Sequence, residues 1–187
     1  MSTLAQPRAT LDDLYKVEGK AELIAGRIKH FMPSGATPTS VAFEIAISLR
    51  GHCRRIRRGV AFPDGIGYAM VPPLPSGRES FSPDASYYDG PMPADLMRFI
   101  VGPPTFGAEV RSEGDYGPKA ELEMAFKRDE YFQAGTQAVW DVDPIAETVT
   151  LYRASDLTTP VVFRRGDTAH AEPAVPGWTM PVDAIFS

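Results

Sequence analysis

A chain of 187 residues, 43% of them apolar and 23% charged, fits one globular domain with a substantial core and excludes a disordered polymer. No run approaches the roughly 18 apolar residues of a membrane span, and the start Met1-Ser2-Thr3-Leu4-Ala5-Gln6-Pro7-Arg8 lacks the apolar stretch of a secretory leader, so a cytoplasmic protein is expected. A net charge of −5 argues against a tight, non-specific nucleic-acid binder, and the single cysteine, Cys53, excludes an internal disulfide and fits a reducing compartment.

The first nine or so residues are expected to be a flexible lead into a single domain spanning 1–187. Thr10-Leu11-Asp12-Asp13-Leu14-Tyr15 predicts a capped helix start, with Thr10 accepting from free amides, Asp12 and Asp13 in the first turn, and Gly19 as the stop. Glu22-Leu23-Ile24-Ala25-Gly26-Arg27-Ile28 predicts a hairpin turning at Ala25-Gly26. Pro33 to Pro38 reads as a loop, and a helix is expected from Thr39 or Ser40 to about Arg55, with Val41, Ile45 and Leu49 on its buried side. At its end Arg54, Arg55, Arg57 and Arg58 form either a solvated, dipole-favoured terminus or a phosphate-contacting patch.

Beyond Gly59 the texture is strand-like: Val60-Ala61-Phe62, Ile66 to Val71, and Phe81 to Tyr88. A Pro- and Gly-rich excursion from Gly90 to Pro104 is expected to carry a short helix around Ala94–Ile100. Phe106 to Arg111 predicts a central strand, and Lys119 to Ala134 a helix ended by Gly135. Strands at Ala138–Val142, Thr148–Tyr152 and Val161–Phe163 complete the pattern, with no repeats and no linker.

Two acids stand in or beside apolar runs, Asp84 in Ser82-Pro83-Asp84 and Glu109 in Gly107-Ala108-Glu109-Val110. A carboxylate there needs a cation, and two together suit a hard divalent metal such as Mg²⁺ or Mn²⁺. Lys127, on the helix after the second strand, adds an amine that either orients or deprotonates a water, or stabilises developing charge. Pro63-Asp64 is a second Pro-Asp, but Gly65-Ile66-Gly67 after it suggests a turn, so Asp84 is preferred. Lys119 lies eight residues before Lys127, about 80° and 12 Å away on an ideal helix, so both cannot serve one metal. His30, His52 and His170 lack ligand spacing, and Cys53 reads as a buried structural thiol.

The ordered set Glu-Leu-Ile-x-Gly-x-Ile (Glu22 to Ile28), Ser-Pro-Asp (Ser82 to Asp84), Glu-Val-x-Ser (Glu109 to Ser112), Lys-x-x-x-Tyr-x-x-Ala-Gly (Lys127 to Gly135), Trp140-Asp141-Val142-Asp143-Pro144 and Pro176-Gly177-Trp178-Thr179-Met180-Pro181 resembles the Uma-two restriction endonucleases of the PD-(D/E)XK nuclease-like superfamily. The likeness runs from about residue 10 to 186 and rests on order and spacing rather than on any one motif. It implies an α/β (α+β) fold, a mixed β-sheet flanked by helices, and a cytoplasmic, divalent-metal-dependent endonuclease. Carried over by position, Asp84 and Glu109 are metal ligands and Lys127 the migrated lysine, because Arg111 occupies its usual place two beyond Glu109. Glu22, Arg111 and Tyr131 are supporting candidates; Glu22 reads equally as a surface hairpin acid, and Tyr131 more readily as packing.

The chain departs from the family pattern at Thr39 or Ser40, where relatives often carry histidine, at Thr105, and at Ser112-Glu113-Gly114-Asp115. The reading adopted is a metal-dependent endodeoxyribonuclease acting on DNA, with Mg²⁺ or Mn²⁺ as cofactor, no organic cofactor and no membrane. The alternative is a catalytically weak or inactive homologue that binds nucleic acid or protein; a ligand-free dimeric scaffold leaves the two acids unexplained. A symmetric homodimer is expected from exposed apolar surface on the helix from Thr39 and around Met97-Arg98-Phe99-Ile100.

Overall fold

A computed structural model describes residues 8–187. Seven of the nine N-terminal residues expected to be flexible lie outside the described residues; Ala9 donates to the Gly26 carbonyl at 2.9 Å and Arg8 pairs with Glu79 at 3.2 Å. Helix α1 (Leu11–Leu14) opens on a reciprocal cap between Thr10 and Asp13, and it stops at Leu14, well short of Gly19. Strands β1 (Ala21–Ile24) and β2 (Arg27–His30) form the expected hairpin, with Ala25 and Gly26 both left-handed (φ 52° and 69°), as a tight primed turn requires.

Helix α2 (Ala36–Ile56) begins three residues earlier than expected. Pro38 falls in its first turn, where a missing N–H costs nothing, so the proline that signalled a loop is compatible with the helix. The buried face is Val41, Ala42, Ile45, Ala46, Leu49 and Cys53. It packs on a six-stranded sheet that contains β3 (Val60–Pro63), β6 (Ala85–Tyr88), β8 (Phe106–Val110), β9 (Ala138–Asp143), β10 (Thr148–Arg153) and β11 (Asp156–Phe163). Short strands β4 (Tyr68–Ala69), β5 (Ser80–Phe81) and β7 (Ile100–Val101) form a separate three-stranded sheet.

The structure departs from the sequence pattern in three segments between Ile66 and Ile100. The single strand Phe81–Tyr88 is two strands in different sheets, because Pro83 cannot donate to a ladder and the chain breaks at Ser82-Pro83-Asp84. The excursion holds turns rather than a helix: the Asp95 side chain accepts from the Met97 amide at 2.9 Å and closes a single turn. The apolar run Ile66–Val71 likewise yields only the two residues of β4 as strand.

In the large sheet the order is β11-β10-β9-β8-β6-β3, with β8 and β9 parallel and the other pairs antiparallel. Helix α3 (Pro118–Ala134), closed by left-handed Gly135, makes the crossover between the parallel strands. Strands β12 (Thr168–His170) and β13 (Thr179–Pro181) and helix α4 (Val182–Ile185) finish the chain. One core lies between the sheet and α2 and holds the Trp140–Trp178 stack (4.7 Å) edged by Phe106. A second, on the other face, joins Val139 to Tyr131, Phe81 and Tyr68. The architecture is the expected mixed α+β fold, a mixed sheet flanked by helices. Among the described residues no helix is long and apolar enough to cross a membrane.

Candidate active site

Ala85 of β6 pairs with Ala108 of β8, so the preceding Asp84 falls beside Glu109. The Asp84 amide donates to the Ala108 carbonyl at 3.1 Å, and the Val110 amide donates to Asp84 Oδ2 at 2.7 Å. The backbone of β8 thus holds Asp84 at both its amide and its carboxylate. Helix α3 crosses the same face: Lys127 Nζ lies 2.9 Å from Glu109 Oε2, and the Tyr131 hydroxyl donates to Glu109 Oε1 at 2.6 Å. Three separated elements bring Asp84, Glu109 and Lys127 into one cleft of about 650 Å³.

Glu22, read equally as a surface acid, is buried (1% exposed) at the floor of this cleft. Its Oε1 faces Lys127 at 3.2 Å and accepts from the Ser82 amide at 3.0 Å, while its Oε2 meets Arg78 at 2.6 Å. Arg78 continues to Glu130, which also accepts from Ser76 at 2.6 Å, and its guanidinium covers the Phe81 ring. Tyr131 serves both packing and hydrogen bonding, stacked on Phe81 at 4.1 Å with its hydroxyl on Glu109.

Arg111 goes elsewhere. It donates to Asp141 at 2.8 and 2.9 Å and also pairs with Glu121, and Arg128 joins it on Asp141 at 3.3 Å. This second cation–carboxylate cluster lines the outer cleft and leaves Glu109 to Lys127. Lys119 is almost fully exposed beside Glu123, as its position at the helix mouth predicts.

Electrostatics follow from crowding. Burial raises the Glu109 carboxyl above its ordinary range; the Lys127 ammonium pulls down and neighbouring Asp84 pushes up. Burial also opposes the charge on Lys127, yet the Glu109 and Glu22 carboxylates outweigh it and hold its pKa above the usual value. Lys127 is therefore a cation at neutral pH. Glu22 is driven below its ordinary range because Lys127 and Arg78 overcome its burial. Burial, reinforced by Glu109, drives the Tyr131 phenol well upward, so it remains a donor.

Eight carboxylates and six cations line the cleft, an excess of two negative charges. Among the described residues no three His, Cys, Asp or Glu side chains are arranged to hold a metal. The donors Asp84 and Glu109 are hard oxygens, and a pair of carboxylates with water completing the shell is what Mg²⁺ accepts. The donor set and the charge excess fit a hard divalent ion.

Lys20, Asp64, Arg78 and Glu130 are the site residues that sequence reasoning missed. Lys20 Nζ lies 2.6 Å from Asp84 and 2.7 Å from Asp64. Its signal was its place two residues before Glu22. The turn after Asp64 exists, with the Gly65 amide on the Asp64 side chain at 2.8 Å, but it delivers Asp64 to the cleft rather than away from it. Glu130 lies one helical turn beyond Lys127, whereas Arg78 carries no local signal. The arginine-rich end of α2 stands apart: Arg58 pairs with Asp89, past the far end of β6 from Asp84. His52 is buried and satisfied by the Pro176 carbonyl and Arg55, and burial raises the Cys53 thiol.

The profile of a family named Uma2 and described as "putative restriction endonuclease" matches residues 9–183. Comparison with curated proteins returns no match. Among solved structures, the crystal structure of a putative nuclease belonging to DUF820 from Anabaena variabilis superposes with a TM-score of 0.70 at 21% identity, over 95% of this chain and 97% of that one. At that identity the likeness shows a shared fold.

Proposed function

The chain belongs to the Uma2 family of restriction-endonuclease-like proteins, and from that premise we propose that it is a divalent-metal-dependent endonuclease hydrolysing phosphodiester bonds in DNA. The observation that carries the proposal is the meeting of Asp84 at the mouth of β6, Glu109 of β8 and Lys127 of α3 in one acidic cleft. Asp84 and Glu109 would hold Mg²⁺ or Mn²⁺, which when bound supplies Lewis-acid polarisation of a phosphate oxygen and acidifies water. Lys127, kept protonated by Glu109 and Glu22, stabilises the charge that develops on the phosphate and is a poor base. Tyr131 and Glu22 hold Glu109 and Lys127 in place.

A cytoplasmic location and a symmetric dimer belong to the same proposal, supported by the lone cysteine and by half-exposed Phe43 and Ile47 on the outer face of α2. The second reading, a catalytically weak binding module, draws on the Lys20 ammonium already seated on Asp84. Supercoiled plasmid incubated with Mg²⁺ or Mn²⁺ separates the two. Nicked or linear product with the parent chain, and none with Asp84→Asn or Glu109→Gln, supports the nuclease. Intact plasmid that is nonetheless retarded on a gel supports the binding module.

A further inference from the structure

Lys20 stands outside every motif that pointed to the site, yet its ammonium is seated on the outward oxygen of Asp84. The two oxygens of Asp84 are held differently. Oδ2 is fixed by the Val110 amide at 2.7 Å, part of the sheet itself, whereas Oδ1 accepts, among the described residues, from an ammonium at the tip of a flexible four-carbon stem. The Lys20 main chain is anchored, its carbonyl accepting from Phe31 at 3.0 Å, so exchange at Oδ1 requires only side-chain rotation.

The two lysines of the cleft differ in what they leave behind. Lys127 sits between Glu109 and the buried Glu22, and its departure would take a cation from a carboxylate that water cannot reach. The second partner of Lys20 is Asp64, whose side chain is 53% exposed, so the ammonium can leave Asp84 and stay in solvent beside Asp64. Lys20 lines the same cleft as Glu109, the other proposed metal ligand. A dication at Asp84 and Glu109 would meet this ammonium at short range, where like charges repel strongly.

We propose that Lys20 is the displaceable counter-ion of the metal site: its ammonium holds Asp84 in the metal-free protein, a divalent cation takes its place, and the freed ammonium, beside Asp64 at the cleft edge, contacts a phosphate of the bound nucleic acid. This rests on the reading of Asp84 and Glu109 as metal ligands. It makes Lys20 a substrate-binding residue whose availability is coupled to metal occupancy, and it explains why a metal ligand carries a salt bridge that would otherwise compete with its task.

The test is a calorimetric titration of the full chain with Mn²⁺ alone, comparing the parent with Lys20→Gln and Lys20→Arg. Removing the competing charge should tighten Mn²⁺ binding by about tenfold or more, while the arginine variant binds as the parent does. At saturating Mn²⁺, Lys20→Gln should raise the KM for a duplex oligonucleotide and flatten its salt dependence. In the parent, amine-labelling followed by mass spectrometry should find Lys20 more reactive with Mn²⁺ than without, and Lys127 unchanged; this readout needs no variant to fold. Equal or weaker Mn²⁺ binding by Lys20→Gln, an unchanged KM, or Lys20 labelling unaffected by Mn²⁺ overturns the exchange while leaving the nuclease reading intact. A parent that shows no Asp84-dependent Mn²⁺ binding sinks the metal reading first and this inference with it.

Discussion

Lys127 bridges Glu109 at 2.9 Å and Glu22 at 3.2 Å, joining the central strand β8 to the hairpin strand β1 through the middle of α3. One ammonium thus neutralises two acids that the fold brings to the same face. Its own charge is secured by them, which favours electrostatic stabilisation over proton abstraction.

Lys127→Met should therefore lower cleavage of a DNA substrate in Mn²⁺ by about 100-fold or more while Mn²⁺ still binds. Lys119→Met, at an exposed position, should be nearly silent. Single-turnover cleavage together with Mn²⁺ titration reads both. Were Arg111→Met to abolish cleavage with Lys127→Met unaffected, the lysine assignment would be wrong.

Arg78 is a second internal cation, nearly inaccessible and shared by Glu22 and Glu130. Removing it leaves buried Glu130 without a cation and Glu22 with Lys127 alone, so Arg78→Met should cost about 3–5 kcal/mol. Adding Glu130→Gln should recover part of that loss, because one uncompensated charge goes with it. Urea unfolding followed by circular dichroism measures both variants; strictly additive losses would mean that the two side chains do not interact.

Much of this fold is legible where signals are local. Ala25-Gly26 marks the hairpin and Gly135 the end of α3 because left-handed backbone selects those residues. Asp84, Glu109 and Lys127 are legible through the order and spacing of several motifs together, since a carboxylate beside apolar residues is a weak signal by itself and a helical lysine a weaker one. Where partners are distant in sequence, the signal fades. Arg78 meets Glu22 and Glu130 across more than 50 residues, and nothing in the neighbourhood of Gly77-Arg78 announces either contact. Met97-Arg98-Phe99-Ile100 is misleading for a related reason: Phe99 packs edge-on against Tyr15 and Ile100 is buried in β7, leaving Met97 as the exposed apolar member.

Of the two surfaces expected to carry a dimer contact, α2 keeps its apolar stripe, with Phe43 and Ile47 58% and 48% exposed one helical turn apart. A second copy covering this stripe would give the symmetric pair most common among oligomers. Light scattering at micromolar concentration should show a dimer for the parent and a monomer for Phe43→Glu with Ile47→Glu. A monomeric parent would refute it.

Glu22 supplies a pH signature. Its burial would raise its pKa, but Lys127 and Arg78 outweigh burial and hold it below the ordinary 4.5. A carboxylate whose folded pKa is lower than its unfolded one contributes stability above the unfolded value and loses it as pH falls through the folded value. The parent should therefore exceed Glu22→Gln in stability at neutral pH. The gap should begin to close below pH 4.5, as the unfolded chain takes up a proton that folded Glu22 refuses, and it should be smallest once folded Glu22 is itself protonated. Urea midpoints for both proteins, measured from neutral pH downward, give the difference directly and cancel the other acids. A gap that is constant across that range would mean that Glu22 is not held as an anion by Lys127 and Arg78, and the charge arrangement that keeps Lys127 protonated would have to be redrawn.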